Sequence, residues 1–230
     1  MKMKSLLLLI AITVFSSSLI YAQRQPGASV GVVKTNWYKK GMFLDGNIGA
    51  RFMGATSEHA EMSTGLALSG SFGYIINEFV GVKGRMDYLG FKVTPGYNDV
   101  SNSLYSISAS AEGFARLLQI IGGPVVRDYG LNFHAGVGIT SLFNPAYRDY
   151  VKQEYDKDLD GPFFKNADDM FHVILGINPQ FHINSKFSIN LDLSHFIQFK
   201  QDRTYDTFNK EIVDGPTGVM AFSIGLTMRL

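Results

Sequence analysis

The chain has 230 residues, 21 basic and 20 acidic, and no cysteine. That balance gives no support to nucleic-acid binding, which shows as a strong basic excess, and the lack of cysteine excludes a disulfide scaffold. Beyond the first 22 residues no 18-residue apolar run occurs, so helical membrane spans are excluded as well.

Residues 1–22 have the form of a secretory signal peptide. Lys2 and Lys4 make a basic start, Leu6 to Phe15 an apolar centre, and Ile20-Tyr21-Ala22 a small-residue exit before Gln23. No Cys follows that exit, so lipidation there is not expected. Without Lys2 and Lys4, 19 basic residues face 20 acidic ones. Residues 23–41 read as a periplasmic lead-in or an added edge segment, with Trp37 and Tyr38 suited to a membrane interface. Residues 42–230 read as one barrel domain.

From Met42 onward apolar residues occupy every second position, with Gly, Ser, Asn and charge between them. In Leu191-Asp192-Leu193-Ser194-His195-Phe196-Ile197-Gln198-Phe199 the odd positions are mostly apolar and the even ones mostly polar. Alternate residues of a strand face opposite sides of the sheet, so each stretch is half apolar and half polar. Eight strands are predicted, at about Met42–Met53, Thr64–Ile76, Phe79–Lys92, Ser103–Leu117, Tyr129–Leu142, Met170–Ile183, Lys186–Phe199 and Gly218–Leu230. Asn77-Glu78 and Asn184-Ser185 read as tight two-residue turns, and Leu118–Asp128 as a longer one. The other four connections, around 54–63, 93–102, 143–169 and 200–217, are polar and mostly much longer. Short turns on one side and long loops on the other is the asymmetry of outer-membrane barrels.

The faces sort cleanly. Val80, Val82, Met86 and Tyr88 oppose Lys83, Arg85 and Asp87, and Tyr105, Ile107, Ala109 and Ala111 oppose Ser106, Ser108, Ser110, Glu112 and Arg116. A one-residue slip would put Lys83, Arg85 and Asp87 in lipid, at a few kcal/mol each near mid-bilayer. The predicted fold is therefore all-β: an eight-stranded, antiparallel, up-and-down transmembrane β-barrel. A soluble lipocalin-like barrel is the architectural alternative.

On its signal exit Ala22-Gln23, its Gly-rich amphipathic strands and its alternating last strand, the chain resembles the OmpA-type eight-stranded transmembrane domain. It is more closely similar to the small outer-membrane barrels of the "porin family", PorT-like group, over residues 23–230. The resemblance implies location in the outer membrane of a Gram-negative bacterium, after export by the Sec route. It also permits a role in a secretion or gliding apparatus. Two departures stand out. The chain ends Met228-Arg229-Leu230 where such barrels commonly end in an aromatic residue, and a wall-tethering role is not expected.

The predicted lumen carries Asp45, Arg51, Lys83, Arg85, Asp87, Glu112, Arg116 and Asp192, four cations and four anions. An eight-stranded barrel is only wide enough for its own side chains, so a self-neutralising plug is favoured over a gated polar channel. His134 and His172 on neighbouring strands are read as hydrogen-bonded lumen residues in preference to a metal pair, since two ligands do not make a site. Asp156, Asp158 and Asp160, followed by Gly161, match the first half of a calcium loop. The twelfth position, where a bidentate Glu belongs, is Ala167. The 143–169 loop is therefore a candidate for weak calcium binding at most, and no other cofactor is expected. Residues 144–155 have the pattern of a short helix presenting Tyr147, Tyr150 and Tyr155 on one face, either packed on the rim or offered to a partner. Asp99, Ser101, Ser103 and His59 lie in loops without the spacing of an activated nucleophile, so no enzyme is predicted. The expected partners are outer-membrane lipid and lipopolysaccharide, and a protein or surface partner through the loops. The alternative function is a narrow gated pore for ions or small solutes.

Overall fold

The computed structural model describes residues 39–53, 64–93, 102–121, 129–143, 164, 167–199 and 217–230. Strands β1 (Gly41–Met53), β2 (Thr64–Ile75), β3 (Val80–Val93), β4 (Asn102–Arg116), β5 (Tyr129–Phe143), β6 (Asp168–His182), β7 (Phe187–Phe199) and β8 (Thr217–Arg229) form one sheet. Each pairs antiparallel with the next, and β8 pairs with β1, so the barrel is closed and has no free edge. One helical turn, α1 (Leu117–Ile120), follows β4 where an irregular connection was expected.

The two short turns are longer than the sequence suggested. They occupy residues 76–79 and 183–186, four each in place of two. The reason is the same asparagine chemistry in both. Asn77 Oδ1 accepts the backbone N–H groups of Phe79 at 2.8 Å and Val80 at 2.9 Å. Asn184 Oδ1 accepts those of Lys186 at 2.8 Å and Phe187 at 2.9 Å. Side-chain acceptance of these donors builds a local turn that competes with the ladder, and it ends each strand one residue early.

The pleat sorts the residues as the alternation requires. Across β3 and β4, Lys83 faces Glu112, Arg85 faces Ser110, and Asp87 faces Ser108, all on the inner side. Their chain neighbours Val82, Met86 and Tyr88 are exposed. The outer wall is apolar on every strand, for example Ile48, Leu68, Phe72, Val137, Leu175 and Ile224. Stacked rings mark the long-loop rim, with Tyr88 and Tyr105 at 6.1 Å between centroids and Tyr105 and Phe143 at 4.8 Å. Near the short-turn rim Tyr129 meets Phe181 at 4.8 Å. An apolar wall between two aromatic girdles, around a polar inside, is the reverse of a soluble barrel. In water it would expose a continuous hydrophobic patch far larger than soluble monomers carry.

Candidate functional site: the barrel lumen

The lumen is built in layers. At the short-turn end Phe43 from β1 and Phe114 from β4 meet across the barrel, with rings 5.6 Å apart at 78°, and Ile75 completes the layer. Both rings lie over glycines of neighbouring strands. A Cβ at Gly73 would overlap the Phe43 ring, and one at Gly81 the Phe114 ring.

Above this layer lies a polar cavity of about 30 Å³, lined by Asp45, Lys83, Arg116 and Asn132 among others. That is room for about two waters. Part of its wall is a ladder of amides. Gln180 Nε2 donates to Asn178 Oδ1 at 3.0 Å, Asn178 Nδ2 to Asn190 Oδ1 at 3.2 Å, and Asn190 Nδ2 to Thr227 Oγ1 at 2.9 Å. Asp45 Oδ2 accepts from Ser71 Oγ at 3.4 Å.

The centre is ionic. Arg85, on β3, spans the lumen to β7. Its Nε donates to Asp87 Oδ1 at 2.9 Å and its Nη1 to both Asp192 Oδ1 and Ser194 Oγ at 3.1 Å. Ser194 Oγ also donates to Asp192. Glu112 Oε2 receives Lys83 Nζ at 3.3 Å and lies 2.7 Å from His134 Nδ1. The opposite ring nitrogen of His134 faces Asp192 Oδ2 at 3.4 Å. The contacts thus run Lys83, Glu112, His134, Asp192, Arg85, Asp87. A Cβ at Gly176 would overlap the His134 ring, so this glycine is the socket in which the imidazole sits.

Next come Arg51 and His172. The Arg51 guanidinium lies 4.5 Å from the centroid of the Phe196 ring, and that of Arg85 lies 5.7 Å from the same centroid, a buried cation–π arrangement. His172 is satisfied by hydroxyls, with Nε2 2.9 Å from Ser110 Oγ and Nδ1 2.9 Å from Thr140 Oγ1. The long-loop end is closed by a second apolar layer that includes Leu89, Leu142, Met170, Ile174, Phe196 and Val219.

All eight charges picked from the sequence therefore lie on inward-facing positions, and seven of them, all but Asp45, are buried. The structure joins Lys83, Arg85, Asp87, Glu112 and Asp192 in one network. Asp45 stands apart, in the cavity layer. His134 and His172 serve different partners and share no site, and among the described residues no group of three or more His, Asp or Glu is placed to hold a metal. The calcium candidates Asp156, Asp158 and Asp160, the tyrosines Tyr147, Tyr150 and Tyr155, and His59, Asp99 and Ser101 lie outside the described residues. The two apolar layers were not anticipated from the sequence, nor was the part played by Ser194, Ser110 and Thr140. An apolar residue falling on an otherwise polar face, such as Phe196 between Ser194 and Gln198, is the signal that would have found the layers.

A closed sheet with its charges inside and its apolar side chains outside defines a small transmembrane β-barrel of the outer-membrane kind. No protein-family model and no curated protein matches the chain. Among solved structures it is similar to Neisserial surface protein A, at 14% identity over 82% of this chain and 97% of that one, with a TM-score of 0.48. It is similar also to the outer membrane protein OprG from Pseudomonas aeruginosa, at 12% identity over 84% and 97% of the two chains, with a TM-score of 0.47. The outer membrane enzyme PagL matches at 10% identity over 82% and 99%, with a TM-score of 0.38. The assignment to the class stands on the barrel's own geometry.

Proposed function

We propose that this protein is a non-enzymatic integral barrel of a Gram-negative outer membrane, with a closed lumen, acting through its long loops on a protein or surface partner. The observation that carries this reading is the packed, ion-paired interior. Two apolar layers flank a charge network in which each carboxylate meets a cation, so the lumen works as the barrel's core. What remains for function is the loop face, where Tyr147, Tyr150 and Tyr155 form the candidate contact surface and Asp156, Asp158 and Asp160 the weak calcium loop. The Ser110–His172 contact gives an enzyme reading no support, because it is buried and the second ring nitrogen meets a hydroxyl in place of a carboxylate. A PorT-like part in a secretion apparatus is the specific form of this reading that the sequence resemblance favours.

Conductance in a planar bilayer tests it. The refolded wild type and the Arg85→Ala/Arg116→Ala variant are compared at the same protein density. Silence from the wild type supports the closed lumen. Discrete openings of the wild type that change in size in the variant would overturn it in favour of a narrow gated pore.

A further inference from the structure

The short-turn rim is chemically lopsided. On the side of β7, β8 and β1, backbone contacts gather four cations at one corner. Arg229 Nη2 donates to the carbonyls of Lys39 at 2.7 Å and Lys40 at 3.0 Å, and Arg229 N donates to Lys186 O at 2.7 Å. Leu230 N donates to Met42 O at 3.0 Å and closes the corner. The guanidinium lies against Gly41, where a Cβ would come within 3.0 Å of Nη2. Lys39, Lys40 and Lys186 are exposed. Among the described residues, the exposed acid at this end is Glu78, which belongs to the β2–β3 turn and not to this corner.

The corner also borders the apolar wall directly. Lys40 is two residues from the exposed Met42, and Lys186 directly precedes Phe187, from which β7 enters the wall. Ile183, Ile189 and Leu230, close in sequence to these cations, are exposed as well. Cations fixed at the edge of a lipid-facing surface stand at the level of phospholipid headgroups, where long basic side chains reach phosphates while their stems cover apolar surface.

We propose that the β7–β8–β1 corner is a docking site for anionic phospholipid headgroups of the leaflet on the short-turn side, with Lys39, Lys40 and Lys186 as the phosphate contacts and Arg229 as the residue that positions them. This rests on the membrane-barrel reading. A soluble anion would find the same cations, but only a lipid can use the adjoining apolar wall as well.

The test is lipid selectivity at the protein surface. The full chain is reconstituted in phosphatidylcholine vesicles, and the association of spin-labelled phosphatidylglycerol is compared with that of spin-labelled phosphatidylcholine by electron spin resonance. The wild type is expected to prefer phosphatidylglycerol several-fold, the preference shrinking in 1 M salt. The Lys39→Gln/Lys40→Gln/Lys186→Gln variant, whose folding is checked by its unheated gel mobility, is expected to lose it. Equal association of both lipids with the wild type would overturn the proposal, and so would a preference that survives in the variant. Retention of soluble anionic cell-wall fragments without any lipid preference would assign the corner to a periplasmic partner and overturn it too. Failure to insert into vesicles at all would instead sink the membrane-barrel reading.

Discussion

Replacing Arg85 by Met asks whether the lumen is a dry core or a wet path. The guanidinium holds Asp87 with Nε at 2.9 Å from Oδ1 and Nη2 at 2.9 Å from the same oxygen, and it holds Asp192 and Ser194 through Nη1 at 3.1 Å. Methionine keeps most of the stem and removes every donor. Removing one partner of a buried ion pair costs about 3–5 kcal/mol, because it strands the other charge away from water. Here two carboxylates lose their main partner, while Arg51 still acts on Asp87 and Lys83 on Asp192. The expected loss is therefore about 4 kcal/mol, within the single-pair range. Against a typical total of about 5–15 kcal/mol, that moves the unfolding midpoint far down a urea series. The assay is urea titration of the barrel in lipid vesicles, read by gel mobility of the folded form. The triple variant Arg85→Met/Asp87→Leu/Asp192→Leu is expected to regain part of the loss, since an apolar replacement strands no charge. A loss below about 1 kcal/mol for Arg85→Met would refute the reasoning, because only charges that remain hydrated can give up a partner so cheaply.

The same titration distinguishes two glycines. Gly176→Ala places a Cβ 2.6 Å from the Leu193 carbonyl and into the His134 ring, and should cost about 1–3 kcal/mol as the imidazole leaves its socket. Gly84→Ala meets nothing within 4 Å on the outer wall, and should be neutral or stabilise by up to about 1 kcal/mol through the unfolded chain. Met86→Arg puts a cation on the middle of the wall at a side chain that is 64% exposed. It should lower stability in vesicles by about 2–4 kcal/mol, and an unchanged midpoint there would contradict a lipid-facing wall.

The strands were readable because a membrane barrel obeys one rule along its whole length, and period 2 survives even where single residues break it. Register followed for the same reason: Lys83, Arg85 and Asp87 admit only one orientation. The inward placement of the eight charges came with the pleat. Their partners did not, since Arg85 and Asp192 are 107 residues apart and become neighbours only across a closed sheet. The apolar layers escaped notice because Phe43, Ile75, Phe114 and Phe196 add to the apolar count of their strands while facing the polar side. Turn lengths were misjudged because Asn77 and Asn184 look like turn centres, whereas each accepts two N–H groups ahead of it and lengthens the loop.

The ion-paired lumen has a consequence for how this barrel comes into being. Arg85 and Asp192 stand on β3 and β7, four strands apart, so in a flat sheet each is hydrated and neither has met its partner. They lose that water only when β8 zips onto β1. Curling of the sheet, seam formation and burial of the charges are consequently one event. A half-curled sheet would hold charges already stripped of water and not yet paired, which disfavours partly closed forms. The final strand to arrive decides whether the interior exists at all.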